Sequence, residues 1–177
     1  MKTPVVLIIY HRPELTKKVI EALRLVKPKK IFVIADGPKS KKDEKVCLKT
    51  RVLIKTIDWD CQIFKKYANK NMGLRKRVVS GLNWVFEKVD KAIILEDDLV
   101  IDPSFFKFCE DLLNKYKDNK EIISISGNNF QFGKVSTKSS YYFSHYVHSW
   151  GWATWRRASG SCATVRCSTP RSTSSSS

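Results

Sequence analysis

The sequence predicts an α/β protein, a mainly parallel sheet doubly wound with helices on both faces. Three observations carry this expectation. Short unbroken runs of β-branched and aliphatic residues recur along the chain, they alternate with segments of helical apolar period, and the connections are long enough to carry helices. The length agrees, since 177 residues suffice for one core that buries roughly 70% of the unfolded surface and are too few for two.

Residues 5–10 form a continuous apolar run, as in a strand buried on both faces, and Pro13 follows at a good first-turn helix position. Leu15, Val19, Leu23 and Val26 then fall on one helical stripe that Pro28 ends. A second strand over 31–35 closes on Asp36-Gly37-Pro38, and Ser40 with Asp43 makes a capping-box pattern for the next helix. Residues 61–67 predict a third, weaker strand. After the loop 69–73, Val78, Leu82, Val85, Phe86 and Val89 make one apolar helix face. The fourth strand, 92–95, runs directly into Glu96-Asp97-Asp98. Asp102 and Pro103 supply a cap and a first-turn proline for the helix after it, and 121–126 predicts a fifth strand ended by Gly127.

Composition sets the class. Hydrophobic residues at 42% and charged residues at 28% are those of a globular protein, and no apolar run reaches the length of a membrane span; a cytoplasmic protein is expected. The cysteines at 47, 61, 109, 162 and 167 contain no C-x-x-C pair, so reduced thiols are expected rather than a zinc knuckle or a disulfide framework. With 33 Lys and Arg against 17 Asp and Glu, the net charge of +16 draws anions: nucleotides, nucleic acid or an acidic membrane face. Residues 159–177 are of another kind, rich in Ser and Thr with arginine replacing lysine. They are expected to be disordered or non-native, with the natural reading frame lost near Ala158.

Three consecutive carboxylates straight after a buried strand repel one another unless a cation neutralises them. Mg²⁺ or Mn²⁺ is the natural partner, because it takes one or two carboxylates and completes its shell with water and phosphate oxygens, the arrangement that holds a nucleotide diphosphate. A solvated acidic turn is the plainer alternative. Arg75, Lys76 and Arg77 lie in the first turn of the helix after Gly73, where the macrodipole disfavours cations. A phosphate there would resolve the conflict, with Gly73 allowing close approach, unless some of these side chains simply point to solvent. Asp36 could accept bonds from a base or ribose, or be a turn aspartate; His11 and Arg12 could reach a base or phosphate, or be ordinary loop residues. His145, His148, Trp150, Trp152 and Trp155 crowd around Gly151, a density suited to stacking on a sugar and also to an aromatic core.

Rival phosphate-binding designs are missing. There is no G-x-x-x-x-G-K-[ST], no G-x-G-x-x-G after the first strand and no G-x-S-x-G.

The ordered segments Tyr10-His11-Arg12-Pro13-Glu14, Asp36-Gly37, Asn71-Met72-Gly73-Leu74-Arg75, Leu95-Glu96-Asp97-Asp98-Leu99 and Gly151-Trp152-Ala153-Thr154-Trp155 resemble those of GT-A-fold glycosyltransferases. The similarity is to bacterial proteins related to glycosyltransferase family 2 and to the N-acetylglucosaminyltransferase I type with its Glu-Asp-Asp motif, over residues 3–158. It implies a Rossmann-like nucleotide-diphosphosugar transferase fold, with a nucleotide-sugar-binding domain over 1–135 and the start of an acceptor-side segment over 136–158. It further implies a UDP-sugar donor held with Mn²⁺ or Mg²⁺, and inverting transfer to a saccharide or lipid-linked acceptor in surface polysaccharide synthesis. By position, Asp98 matches the metal-binding aspartate, Asp97 the ribose-side or metal-side acid, and Glu96 the acid near the donor sugar. Asp36 matches the base contact, and Arg12 lies in the loop lining the nucleotide; His11, Gly73, Arg75 and Arg77 complete the donor side. His148, Trp150, Gly151 and Trp152 are the acceptor-side candidates. Family members continue into an acceptor half that usually provides the catalytic base, so no base is assigned and an inactive UDP-sugar-binding fragment is one alternative. A basic nucleic-acid-binding protein is the other. It would explain the charge but not the carboxylate triplet, so no nucleic acid partner is expected, whereas peripheral attachment to an anionic membrane surface is.

Overall fold

A computed structural model describes residues 1–130 and 139–163, with side chains to 159. Its six-stranded sheet has the order β3-β2-β1-β4-β6-β5. β1 (Val5–Ile9), β2 (Lys30–Ala35), β3 (Gln62–Tyr67) and β4 (Lys91–Glu96) run parallel. β6 (Trp152–Trp155) lies antiparallel between β4 and β5 (Ser124–Ser126). The crossovers carry α1 (Pro13–Val26), α2 (Lys41–Val52), α3 (Leu74–Phe86) and α4 (Pro103–Lys115), and α5 (Arg156–Ala163) follows β6. The α/β fold class expected from the sequence is the one observed.

β1 is central and buried along its whole length, which is why its run does not alternate. Val5, Leu7 and Ile9 pack on one face against Val19, Ile20 and Leu23 of α1 and Phe106, Cys109 and Leu113 of α4. Val6 and Ile8 pack on the other against Leu82, Val85 and Phe86 of α3. Each such buried aliphatic side chain contributes about 1.5–3 kcal/mol. Gly81 lets α3 approach β2 closely, since a Cβ there would lie 2.6 Å from the Ile34 side chain. Cys47 and Cys109 are buried free thiols, with burial pushing the Cys109 thiol far up, and Cys61 is also free.

Several local expectations change. Asp102 caps α4 as expected, accepting from the Ser104 N–H at 2.8 Å, but Ser40 makes no side-chain cap bond to α2. The fifth strand is shorter than 121–126, covering Ser124–Ser126 only. β6 is an additional strand, drawn from the segment expected to open an acceptor side. Its tryptophans serve the core on opposite faces: Trp152 packs with the α3 side, while Trp155 packs with the α4 side and donates its indole N–H to the Leu113 carbonyl at 3.1 Å. The expected boundary at 135/136 falls outside the described residues, as does 164–177, while residues 159–163, expected to be unstructured, continue α5.

Candidate functional site

Strand order reverses at β1, whose chain continues to β2 on one side while β4 joins it on the other. In such sheets the crevice beyond the carboxyl ends at this reversal is the usual ligand site. His11 and Arg12 follow β1 there, and Glu96, Asp97 and Asp98 end β4. The sequence separates these groups by more than eighty positions, and the fold makes them neighbours.

Asp97 is buried. One of its oxygens accepts from the Tyr10 backbone N–H at 2.9 Å, and the other lies 3.5 Å from the Arg12 guanidinium. Asp98 is 41% exposed and forms an ion pair with Arg12 through Oδ2, leaving Oδ1 without a hydrogen bond from any of the described residues. Arg12 therefore bridges the two acids across the crevice. The repulsion inferred from the sequence is real: burial first, then Asp98 and Asp97, push the Glu96 carboxyl up. Burial also raises Asp97, opposed by the Tyr10 N–H and by Arg12. His11 is exposed, its ring 4.3 Å from that of Tyr10.

These acids offer hard oxygen donors suited to Mg²⁺ or Mn²⁺. Asp98 fits the part of a single protein ligand, half-exposed and with a free oxygen. Asp97, which pairs with Asp98 in the expected metal set, has one oxygen on the Tyr10 N–H just after β1 and the other facing Arg12. Among the described residues no group of three or more His, Cys, Asp or Glu is arranged to hold a metal, so any ion here depends on water and ligand oxygens for most of its shell.

The carboxyl end of β2 is built differently. Asp36 is buried, and its carboxylate accepts from the N–H groups of Gly37 (2.8 Å), Met72 (2.9 Å) and Gly73 (3.1 Å). Asn71 completes the clamp, with its side-chain amide donating to the Gly37 carbonyl at 3.0 Å. A Cβ on Gly37 would lie 2.4 Å from the Lys70 carbonyl carbon, so the two loops touch backbone to backbone. The structure places the Asp36 carboxylate, expected as a base contact, on the N–H groups of this loop. It also answers the question raised by cations at the start of α3. The anion at that helix terminus is Asp36 of the protein itself, placed where the macrodipole favours it.

Arg77, expected on the donor side, is turned inward. It is 3% exposed and donates to the Lys66 carbonyl beneath the loop, so it does not face a ligand. Burial lowers its pKa, opposed by Asp36. Arg51, which the sequence reading missed, lies beside it and donates to the carbonyls of Asp36 (2.9 Å) and Ala68 (2.7 Å). Among the described residues, the buried Nε atoms of Arg51 and Arg77 and the hydroxyl of Tyr67 have no hydrogen-bond partner, a desolvation cost of about 1–3 kcal/mol each. Arg75 and Lys76 are exposed. Gly73 has φ +80° and nothing within 4 Å of where a Cβ would sit, so its surface is open to a ligand.

On the other side of Asp98 a cleft of about 1730 Å³ opens between the start of α4, the end of β5 and residues 139–151. His148 and the exposed Trp150 line it with Gly151; Trp152 is in the core and does not. Two sets of rings stand along it. Phe130 lies 4.6 Å from His148 and 5.9 Å from Trp150, while Tyr116, Tyr141 and Phe143 pack edge to face at 5.8–6.3 Å. The second set was missed, although the consecutive Tyr141, Tyr142 and Phe143 were a visible signal.

No family model and no curated protein matches the sequence. Among solved structures, the 4-diphosphocytidyl-2C-methyl-D-erythritol synthase from Anaerococcus prevotii is similar at 12% identity, with a TM-score of 0.49, over 88% of this chain and 72% of that one.

Proposed function

We propose that the protein is a metal-dependent glycosyltransferase that uses a nucleotide diphosphosugar, a UDP-sugar, and passes the sugar to a saccharide acceptor with inversion. The observation that carries this reading is the acid pair of β4, bridged by Arg12 at the strand-order reversal and opening directly on the cleft. Asp98 would hold Mg²⁺ or Mn²⁺, which when bound neutralises the departing diphosphate. Arg12, released from the acids as the ion takes its place, would turn its guanidinium to the phosphates. The Asp36 clamp holds the Gly73 loop still, so the open backbone there and Arg75 at the start of α3 would face the nucleotide in a fixed geometry. The reading also includes work at the inner face of a membrane, supported by the net charge of +16; no helix among the described residues is long and apolar enough to cross one.

The test is calorimetry of UDP binding with Mn²⁺, with chelator, and with Asp98→Ala. Binding that needs both metal and Asp98 is expected. Binding of UDP unaffected by chelator and by Asp98→Ala would refute the reading. Pelleting with acidic vesicles at low salt tests the membrane part separately, and its absence would remove that part alone.

A further inference from the structure

We infer that α2 and the last turn of α1 form the face with which the chain docks on an anionic lipid bilayer, its exposed leucines entering the interface and its lysines resting on the headgroups. This deepens the membrane part of the proposed function and rests on that part alone, not on the glycosyltransferase.

The charge of α2 is the first argument. Between Lys39 and Lys55 six exposed lysines, at 39, 41, 42, 45, 49 and 55, stand against two acids, Asp43 and Glu44. None of the six forms an ion pair with a described residue, whereas Arg24 of α1 and Lys107 of α4 pair with Asp58 and Asp111. Arg51, the remaining cation of this stretch, is turned inward onto the carbonyls of Asp36 and Ala68. The unpaired charge therefore lies wholly on the outward side, where an anionic leaflet gives each lysine near its surface about fivefold in binding.

The apolar residues among these lysines are the second. Lys41, Lys45, Leu48 and Val52 fall on one exposed stripe of α2, with Lys42 and Lys49 beside it. Leu48 is 63% and Val52 46% exposed, and Leu25 in the last turn of α1 is 71% exposed. The two helices pack side by side in the outer layer. Arg24 ties the end of α1 to the turn Leu53–Thr56 that continues α2, donating to the Thr56 carbonyl at 2.9 Å. Apolar tips set among lysines suit the headgroup region of a bilayer, where leucines reach the acyl boundary and lysine stems follow them with their ammonium groups at the phosphates. Nucleic acid would neutralise the lysines and leave the leucines in water, and a second copy would set one lysine row against another. The stretch starts directly after the Asp36-Gly37-Pro38 turn at the carboxyl edge of the sheet, so docking keeps the crevice at the membrane surface.

The test is pelleting of the full chain, at low salt and with chelator, with vesicles of phosphatidylglycerol and phosphatidylcholine in equal parts and with phosphatidylcholine alone. The unmodified chain is expected to pellet with the anionic vesicles only. Lys45→Glu with Lys49→Glu should weaken this about tenfold or more, and Leu25→Ser with Leu48→Ser about fivefold. Lys117→Glu with Lys120→Glu, the same charge change beyond α4, should weaken it less than about threefold. All these positions are exposed, and circular dichroism confirms that the variants fold. Leu48→Trp, which leaves the charge intact, should be quenched by lipids brominated on their acyl chains. An unmodified chain that stays in the supernatant would overturn the inference together with the membrane part. Equal weakening by the two lysine pairs would overturn this face and leave the membrane part standing. Loss with the Lys45 and Lys49 pair but not with the leucine pair, and no quenching of Leu48→Trp, would mark a site for polyanions such as nucleic acid and overturn docking on a bilayer. UDP calorimetry on the same samples bears on the glycosyltransferase alone.

Discussion

The carboxyl ends of β2 and β4 both present aspartates after a buried strand, and they use them in opposite ways. At β2 the compensation for Asp36 is fixed backbone, three N–H groups of loops that cannot leave without unfolding locally. At β4 one Asp97 oxygen rests on the Tyr10 N–H, but the other, together with Asp98, is compensated by the half-exposed side chain of Arg12, which can be exchanged for another cation. A charge satisfied by backbone builds the scaffold; a charge satisfied by a movable side chain is available to a ligand.

The largest effect that could break this contrast is on stability. Asp36→Ala leaves three backbone donors without their acceptor and the buried Arg77 without its neighbouring acid, and should cost about 3–5 kcal/mol in urea unfolding. Asp98→Ala should stay within about 1 kcal/mol. Equal costs would show that the two ends are not different in kind. Next in size, Asp98→Ala should weaken UDP binding with Mn²⁺ at least tenfold, or about 1.4 kcal/mol. Gly73→Ala should lose about 1–3 kcal/mol from backbone strain alone, since φ +80° with ψ 150° is a conformation essentially reserved for glycine and the space there is open; a much larger loss would mean the loop is more tightly packed than its geometry indicates.

The smallest effect sharpens the β4 side. Glu96 has its folded pKa raised, chiefly by burial and then by Asp98 and Asp97. Its ionisation therefore opposes folding, and stability present below the unfolded value near about 4.3 is lost as pH rises through the folded one. With chelator present, Glu96→Gln should stabilise the protein at pH about 7 by up to about 1 kcal/mol, the advantage vanishing below the ordinary Glu range. Thermal melts across pH would read this directly, and a variant less stable at neutral pH would contradict it.

The elements with an unbroken period or a clear stop were legible in the sequence: β1 from its apolar run, α1 from its stripe, α4 from Asp102 and Pro103. The acid triplet was legible too, because no packing role accounts for three carboxylates behind a strand. Asp36 was not, since its partners at 72 and 73 lie far along the chain and nothing in Asp36-Gly37-Pro38 names them. Arg77 could have been placed: Arg77, Gly81 and Val85 fall four apart on one inward stripe, but a first-turn arginine reads as exposed. β6 was hidden because Trp152 and Trp155 serve opposite faces of an interior strand, which leaves a four-residue segment without alternation, and its pairing with Ile94 and Ser126 is wholly non-local.

The neck between β5 and β6 has an evolutionary consequence. Ser126 leaves the sheet opposite Trp152, where the chain returns, and the Gly127 N–H donates to the Gly151 carbonyl at 3.1 Å. The excursion between them starts and finishes at one point, so residues gained or lost within it do not shift the strand register. Doubling its length would cost only about 0.6 kcal/mol of closure entropy. Residues gained or lost in this excursion would therefore change the lining of the cleft while the sheet and the acid end of β4 stay as they are.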